Sequence, residues 1–178
     1  KLIRCCSVIL LVVLAGALAA RVTSLDAAGF SEDEMDKLHG AQAYRTGDFA
    51  FDGEHPALMK LAVLASLEAA AAWNAHKPAR APIIQTETAV RLPNALAGAA
   101  ISIVLFLLVT RWFSPLTGLI AGWLWAFDVN AIAINRIAKE DTFVVLFLLV
   151  ASLLYERAKQ VGRADPRRAQ RWFAAAGA

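Results

Sequence analysis

The chain alternates long apolar runs with polar stretches, and the apolar runs are too continuous to be one-sided faces of soluble helices. The runs at 92–110 and 116–134 approach the roughly 20 residues that a helix needs to cross a bilayer. Those at 7–20 and 142–155 are shorter but almost wholly apolar. The pattern predicts an all-α integral membrane protein in which 1–178 is the N-terminal part of one multi-span transmembrane domain.

The first run, 7–20, has a second interpretation. It follows basic residues and contains Ala17-Leu18-Ala19, which resembles the cleavage site of a signal peptide. We favour a retained span, because more spans follow and the polar loop after it needs an anchor. The basic start then places the N-terminus in the cytoplasm.

The longest polar stretch, 30–60, follows the first span and belongs to a predicted outer loop at 21–91. It contains an unusual share of the 15 carboxylates and two of the 3 histidines of the chain. A polar loop of this length, held against a membrane, is typical of a site that binds a ligand or performs chemistry.

The run at 57–73 is helical by composition, but it carries two charges and is mostly alanine. If it does not cross, Arg111 and the basic segment after Tyr155 both lie in the cytoplasm, as the positive-inside rule expects. We therefore predict an interfacial helix at 57–73 on the outer face. The loop 21–91 and the link 135–141 then share the periplasmic or lumenal side.

Composition agrees with a membrane protein. The chain is 58% hydrophobic and its mean hydropathy is +0.52, which is more apolar than usual for a soluble domain. Cys5 and Cys6 are neighbours without metal-ligand spacing, so we infer no disulfide framework. The last residues, 171–178, resemble the opening of another span, and we expect a longer protein.

Two motifs in the outer loop could carry chemistry. Asp33-Glu34 is either a pair of helix-start charges or a general base near a membrane-borne substrate. The segment His55-Pro56 with Lys60 one turn on is either a helix start with a snorkelling lysine or a cationic clamp on phosphate.

Charged residues near the ends of the later spans have the same two interpretations. Arg91, Arg136, Lys139 and Asp141 are either interfacial anchors or ligands. Asp128 falls inside the third predicted span, where a charge is costly, and should face other helices rather than lipid.

The order and spacing of these motifs resemble the N-terminal part of the dolichyl- or polyprenyl-phosphate-mannose protein mannosyltransferases (glycosyltransferase family 39) and their bacterial relatives. The resemblance runs from Val8 to about Tyr155. It implies a GT-C-type multi-span helical bundle with interfacial helices in the first outer loop. The motifs that carry it are Asp33-Glu34, Gly47-Asp48, Phe51-Asp52, His55-Pro56-x-Leu58-x-Lys60, Arg91-Leu92-Pro93 and Asn135-Arg136 with Asp141. Ala57 stands where the family has a second proline.

The resemblance implies an inverting transferase in the plasma membrane. It would move a sugar from a polyprenyl-phosphate carrier to an acceptor hydroxyl on a protein, lipid or glycan, on the periplasmic, extracellular or lumenal face. It further implies roles for individual residues. These are Asp33 as the base with Glu34 beside it, then His55, Lys60, Arg91 and Arg136 near the carrier phosphate, and Asp141 in the second outer loop.

Other functions and ligands stay open at this point. A divalent metal could be bound by Glu54 and His55, although no spacing demands it, and we expect no nucleic-acid partner. A multi-span transporter or binding subunit could use the acidic loop to capture cations. It would need buried charges at mid-depth, for which only Asp128 qualifies. A structural membrane subunit is the third alternative.

Overall fold

The computed structural model describes residues 2–163 and 165–177, with side chains described from residue 8 onwards. It is all-α, as predicted, and contains no strand among these residues. The helices are α1 Leu2–Val22, α2 Glu32–Arg45, α3 Ala57–His76, α4 Thr86–Trp112, α5 Pro115–Phe127, α6 Val129–Asn135, α7 Asp141–Gly162 and α8 Pro166–Gly177.

Within the described ranges, α4 is the one helix that is by itself long and apolar enough to cross a membrane. It contains the predicted span 92–110. Helices α5 and α6 meet the same criterion only if they form one bent span, and the apolar segment Val8–Val22 of α1 is shorter. The interfacial helix predicted at 57–73 corresponds to α3, which is not among the candidate spans.

The third predicted span, 116–134, is not a continuous helix. Asp128 is the C-cap of α5, in an extended conformation, and α6 begins at the next residue. Our expectation that Asp128 faces other helices was wrong, because its side chain is exposed at this break.

The chain divides into two compact units. The first unit comprises 1–17, 99–128 and 144–178. Here α4 and α5 approach closely: a Cβ at Gly122 would lie 2.8 Å from the carbonyl oxygen of Ser102. Large apolar side chains remain exposed along α5 and α7, including Leu116, Ile120, Trp123, Leu124, Val144, Phe147 and Leu148.

The second unit comprises 18–98 and 129–143 and holds every sequence-predicted site residue. Its apolar core joins α2, α3, the start of α4 and the link 136–140, which connects α6 to α7. Helix α2 begins with a capping box in which Ser31 and Glu34 satisfy each other's backbone and side-chain groups. The buried core residues are Leu38, Ala41, Met59, Val63, Val90 and Ala138.

Gly98→Ala is expected to lower the free energy of unfolding by about 1–3 kcal/mol, because a Cβ at Gly98 would overlap the side chain of Asn135. Asn135 cannot easily give way, since its Oδ1 accepts from Arg21 Nε at 2.9 Å and its Nδ2 donates to Thr142 at 3.1 Å. Thermal unfolding in detergent measures the loss. Gly177→Ala, at a helical position with open space around it, is the matched control; equal stability of both variants would contradict the prediction.

Candidate functional site

Asp33 lies in the first turn of α2 with its side chain 54% exposed. Its Oδ2 is 2.8 Å from Lys139 Nζ, on the link 136–140. The hydrogen bond and the charge of Lys139 hold the pKa of the Asp33 carboxyl below its ordinary value of 3.8. Asp33 is therefore an ionised, accessible carboxylate that can accept a proton.

Glu34, the next residue, is in a different environment, with only 1% of its surface exposed. Arg91 donates two hydrogen bonds to its carboxylate, from Nε to Oε1 at 2.6 Å and from Nη2 to Oε2 at 2.8 Å. The backbone N–H groups of Ser31 and Ala138 also donate to it. Burial raises the pKa of Glu34, but the bonds from Arg91, Ser31 and Ala138 outweigh it and keep the pKa below 4.5.

Arg91 uses its remaining donors on the loop after α1. Its Nη1 donates to the carbonyls of Leu25 and Ala28, and its Nη2 donates to Gly29. With the two bonds to Glu34, all five N–H groups of the guanidinium have partners within the protein. In this arrangement Arg91 ties α4, α2 and the loop together.

Lys60 has a similar structural setting. Its side chain is fully buried, and its Nζ donates to the carbonyls of Phe51 and Asp52 at 3.2 and 2.5 Å. The ammonium also lies 5.1 Å from the ring centroid of Tyr44. Lys60 thus anchors the loop before α3 rather than reaching outwards.

His55 remains partly exposed and joins two segments. Its Nδ1 is 2.7 Å from Glu140 Oε1 on the link 136–140. The other oxygen of Glu140 lies 3.6 Å from Nζ of the buried Lys37 on α2. These contacts connect α2, the turn before α3 and the link. We call the cluster of Lys37, His55 and Glu140 the polar edge.

Arg136 lies at the end of α1. Its Nη1 donates to the carbonyls of Ala20 and Thr23 at 3.1 and 2.6 Å, and its Nη2 donates to Ser24 at 2.9 Å. It therefore caps the C-terminus of α1, where a cation is favourable. It also lines a cavity of about 330 Å³ together with Glu34, Arg91 and the loop after α1.

The remaining predicted residues lie at the margin of this polar edge. Asp141 is the first residue of α7 and is exposed, a favourable place for a carboxylate at a helix N-terminus. Glu54 is exposed in the turn before α3. Across the described part of the chain, no group of three or more His, Cys, Asp or Glu side chains could hold a metal ion.

The second half of the chain matches a known protein family. The family model described as dolichyl-phosphate-mannose-protein mannosyltransferase matches residues 83–178, more than half of the chain. The chain belongs to this mannosyltransferase family. The family predicted from the sequence is thereby confirmed. No curated protein and no solved structure matches the chain.

The mannosyltransferase match includes Arg91 and the link 136–140 but begins after Asp33, Glu34 and His55. The contacts between these segments connect the matched region to the outer loop that precedes it. Asp33 pairs with Lys139, Glu34 with Arg91, and His55 with Glu140.

Sequence reasoning missed three side chains of the site. Lys37 and Glu140 form ion pairs there, and Asn94 donates to the carbonyls of Ile137 and Lys139. The alternating charges between Arg136 and Asp141 were a signal for the link. No local signal marked Lys37 or Asn94, because their partners are distant in sequence.

The Glu34–Arg91 pair should make the stability of the folded chain depend on pH. Because folding lowers the pKa of Glu34, its contribution is fully present above the ordinary value of 4.5 and is lost as pH falls through the lower folded value. We expect the melting temperature of the wild type to fall more steeply below pH 4.5 than that of Glu34→Gln. Parallel slopes in a pH series of melting curves would contradict this.

Proposed function

We propose that the protein is an inverting membrane glycosyltransferase that moves a sugar from a polyprenyl-phosphate carrier to an acceptor hydroxyl, as a protein O-mannosyltransferase does. The family match over residues 83–178 carries this proposal. It suggests a glycosyltransferase with a lipid-linked donor. The exposed, ionised Asp33 supplies the kind of group that the reaction needs.

In the proposed reaction, the acceptor hydroxyl attacks the anomeric carbon of the sugar. The new C–O bond forms as the bond to the carrier phosphate breaks, and the phosphate leaves with the bonding electrons. Asp33 takes the hydroxyl proton, a step typically worth about 10²–10⁴-fold in rate. Nearby cations stabilise the charge that develops on the phosphate.

The exposure of the predicted cations supports a division of roles. His55 and Arg136 are partly exposed, and we assign them to the carrier phosphate. Lys60 and Arg91 are buried, with their N–H groups bonded to backbone carbonyls or to Glu34. Arg136 also donates to backbone carbonyls, but it is not buried and it lines the cavity. We therefore propose that Lys60 and Arg91 hold the loops on which Asp33 and His55 lie. Asp141 is assigned to the second outer loop beside Lys139.

A membrane location is proposed from two features of the described residues. Helix α4 is long and apolar enough to cross a bilayer. In the first unit, α5 and α7 expose large apolar side chains, which lipid would cover at lower cost than water. We propose a multi-pass GT-C-type bundle with a cytoplasmic N-terminus and the site on the periplasmic or lumenal face.

The transporter alternative has lost its main support. It required a buried charge at mid-depth, whereas Asp128 is exposed at the break between α5 and α6. No observation in the described residues favours a structural subunit over an enzyme.

A donor comparison tests the proposed function. Vesicles containing the purified protein and an acceptor extract are given labelled polyprenyl-phosphate hexoses or the matching nucleotide sugars. We expect consumption of at least one lipid-linked sugar and none of the nucleotide sugars. Protein-free vesicles are the control. Consumption of no lipid-linked sugar, or of the nucleotide sugar alone, would overturn the proposal.

A further inference from the structure

His55 is held between two carboxylates. Its Nδ1 lies 2.7 Å from Glu140 Oε1, and its Nε2 lies 3.8 Å from Asp52 Oδ1. The first distance is a hydrogen bond, whereas the second is too long for one. The side chain of His55 is 38% exposed, so a ligand can reach the ring.

Glu140 is ionised in this setting. Burial alone raises the pKa of Glu140, but hydrogen bonds from its own backbone N–H and from His55, together with the charge of Lys37, outweigh burial and lower it. An ionised carboxylate only accepts hydrogen bonds. The short contact therefore requires a proton on Nδ1 of His55.

Glu140 is itself fixed in place by its surroundings. The buried Lys37 lies 3.6 Å from its second oxygen. Asn94 donates to the backbone carbonyls of Ile137 and Lys139 at 2.7 and 2.5 Å, which holds the link on which Glu140 lies. A carboxylate held from two sides can orient the ring that it contacts.

We propose that Glu140 is a positioning residue that fixes His55 with Nδ1 protonated and directs Nε2 to the carrier phosphate. This inference rests on the proposed function, in which His55 contacts that phosphate. A ring protonated at both nitrogens donates Nδ1–H to Glu140 and Nε2–H to a phosphate oxygen. A partner that orients a histidine through its second nitrogen is a common device at reactive sites.

The position of Asp52 supports this assignment. Its Oδ1 lies 3.8 Å from Nε2, too far for a hydrogen bond, so it does not occupy an N–H at that nitrogen. Lys60 lies 3.8 Å from the other oxygen of Asp52 and donates to its backbone carbonyl, which holds Asp52 against α3. The ring of His55 is partly exposed and its Nε2 is not hydrogen-bonded to Asp52, so we assign Nε2 to a phosphate oxygen.

The test is a double-mutant cycle on the kinetics of donor consumption. Glu140→Ala is expected to raise KM for the lipid-linked donor about tenfold, the effect of losing one ordered hydrogen bond to a charged group, with kcat within about twofold. Glu140→Gln keeps an oxygen that accepts from Nδ1 and should recover most of the loss. In His55→Asn, adding Glu140→Ala should cost nothing further, because Glu140 acts through His55.

Two controls make the outcomes distinguishable. Glu156→Ala, which removes a pair with Lys159 within α7 of the first unit, should leave both constants unchanged. ¹⁵N NMR of the ring nitrogens, with His55→Asn to assign the signal, should report a protonated Nδ1 in the wild type and a mixture of tautomers in Glu140→Ala.

An active wild type with unchanged KM in Glu140→Ala, additive losses in the double variant, or an unprotonated Nδ1 would overturn this inference alone. A wild type that consumes no lipid-linked sugar would overturn the proposed function and this inference together.

Discussion

Asp33→Asn is expected to lower kcat for sugar transfer by about 10²–10⁴-fold, because an amide cannot take the proton of the acceptor hydroxyl. The folded chain should tolerate the change, since the Asp33 side chain is 54% exposed and pairs with the partly exposed Lys139. Expression and melting temperature should therefore match the wild type, which separates loss of chemistry from loss of protein. Initial rates of donor consumption at saturating donor measure the effect.

Asp36→Asn is the matched control for this prediction. Asp36 lies on the same helix, one turn after Asp33, and is also exposed. The Asp36→Asn variant should transfer sugar at the wild-type rate. If Asp33→Asn is as active as Asp36→Asn, Asp33 is not the base, and Glu34, its neighbour, becomes the next carboxylate to test.

Arg91→Met is expected to lower the free energy of unfolding by about 3–5 kcal/mol, because it leaves the buried carboxylate of Glu34 without its cation. It also removes donors from three backbone carbonyls of the loop after α1. Adding Glu34→Gln should restore part of the loss by removing the unpaired charge. Equilibrium unfolding in detergent of the two single variants and the double variant measures the loss of unfolding free energy and its partial recovery.

Arg45→Met provides the comparison for Arg91→Met. Arg45 pairs with Glu68 at 3.0 Å, but the two side chains are 67% and 48% exposed. An exposed pair contributes about 0–1 kcal/mol, so this variant should be nearly as stable as the wild type. Similar losses in Arg45→Met and Arg91→Met would show that the buried pair has no special structural role.

The sequence predicted which segments come together more accurately than it predicted the surroundings of each side chain. Asp33 and Glu34 are adjacent, and both were expected at the reaction. Successive residues of a helix point about 100° apart, and the packing of α2 buries Glu34 against Arg91 while Asp33 stays exposed. Which of the two faces the interior depends on α4 and the link, and these contacts are not visible in the local pattern.

The same limit explains why the sequence revealed neither the contact of Glu140 with His55 nor the break at Asp128. Glu140 contacts His55, which is 85 positions away in sequence, and reading each segment separately cannot reveal such a pair. Asp128 divides a run that is apolar on both sides, so hydropathy alone favoured one continuous span. The all-α architecture and α4 were predictable, because long apolar runs leave few alternatives to a helix.

The anomeric configuration of the transferred sugar tests the central claim most directly. If Asp33 acts as a base on the acceptor hydroxyl, transfer is a single displacement, and the product has the opposite configuration to that of the donor. If a carboxylate instead formed a covalent intermediate with the sugar, two displacements would retain the configuration, as in retaining glycosidases. NMR of the product formed by the wild type from one lipid-linked donor distinguishes these outcomes. The account predicts inversion, and a product with retained configuration would contradict it.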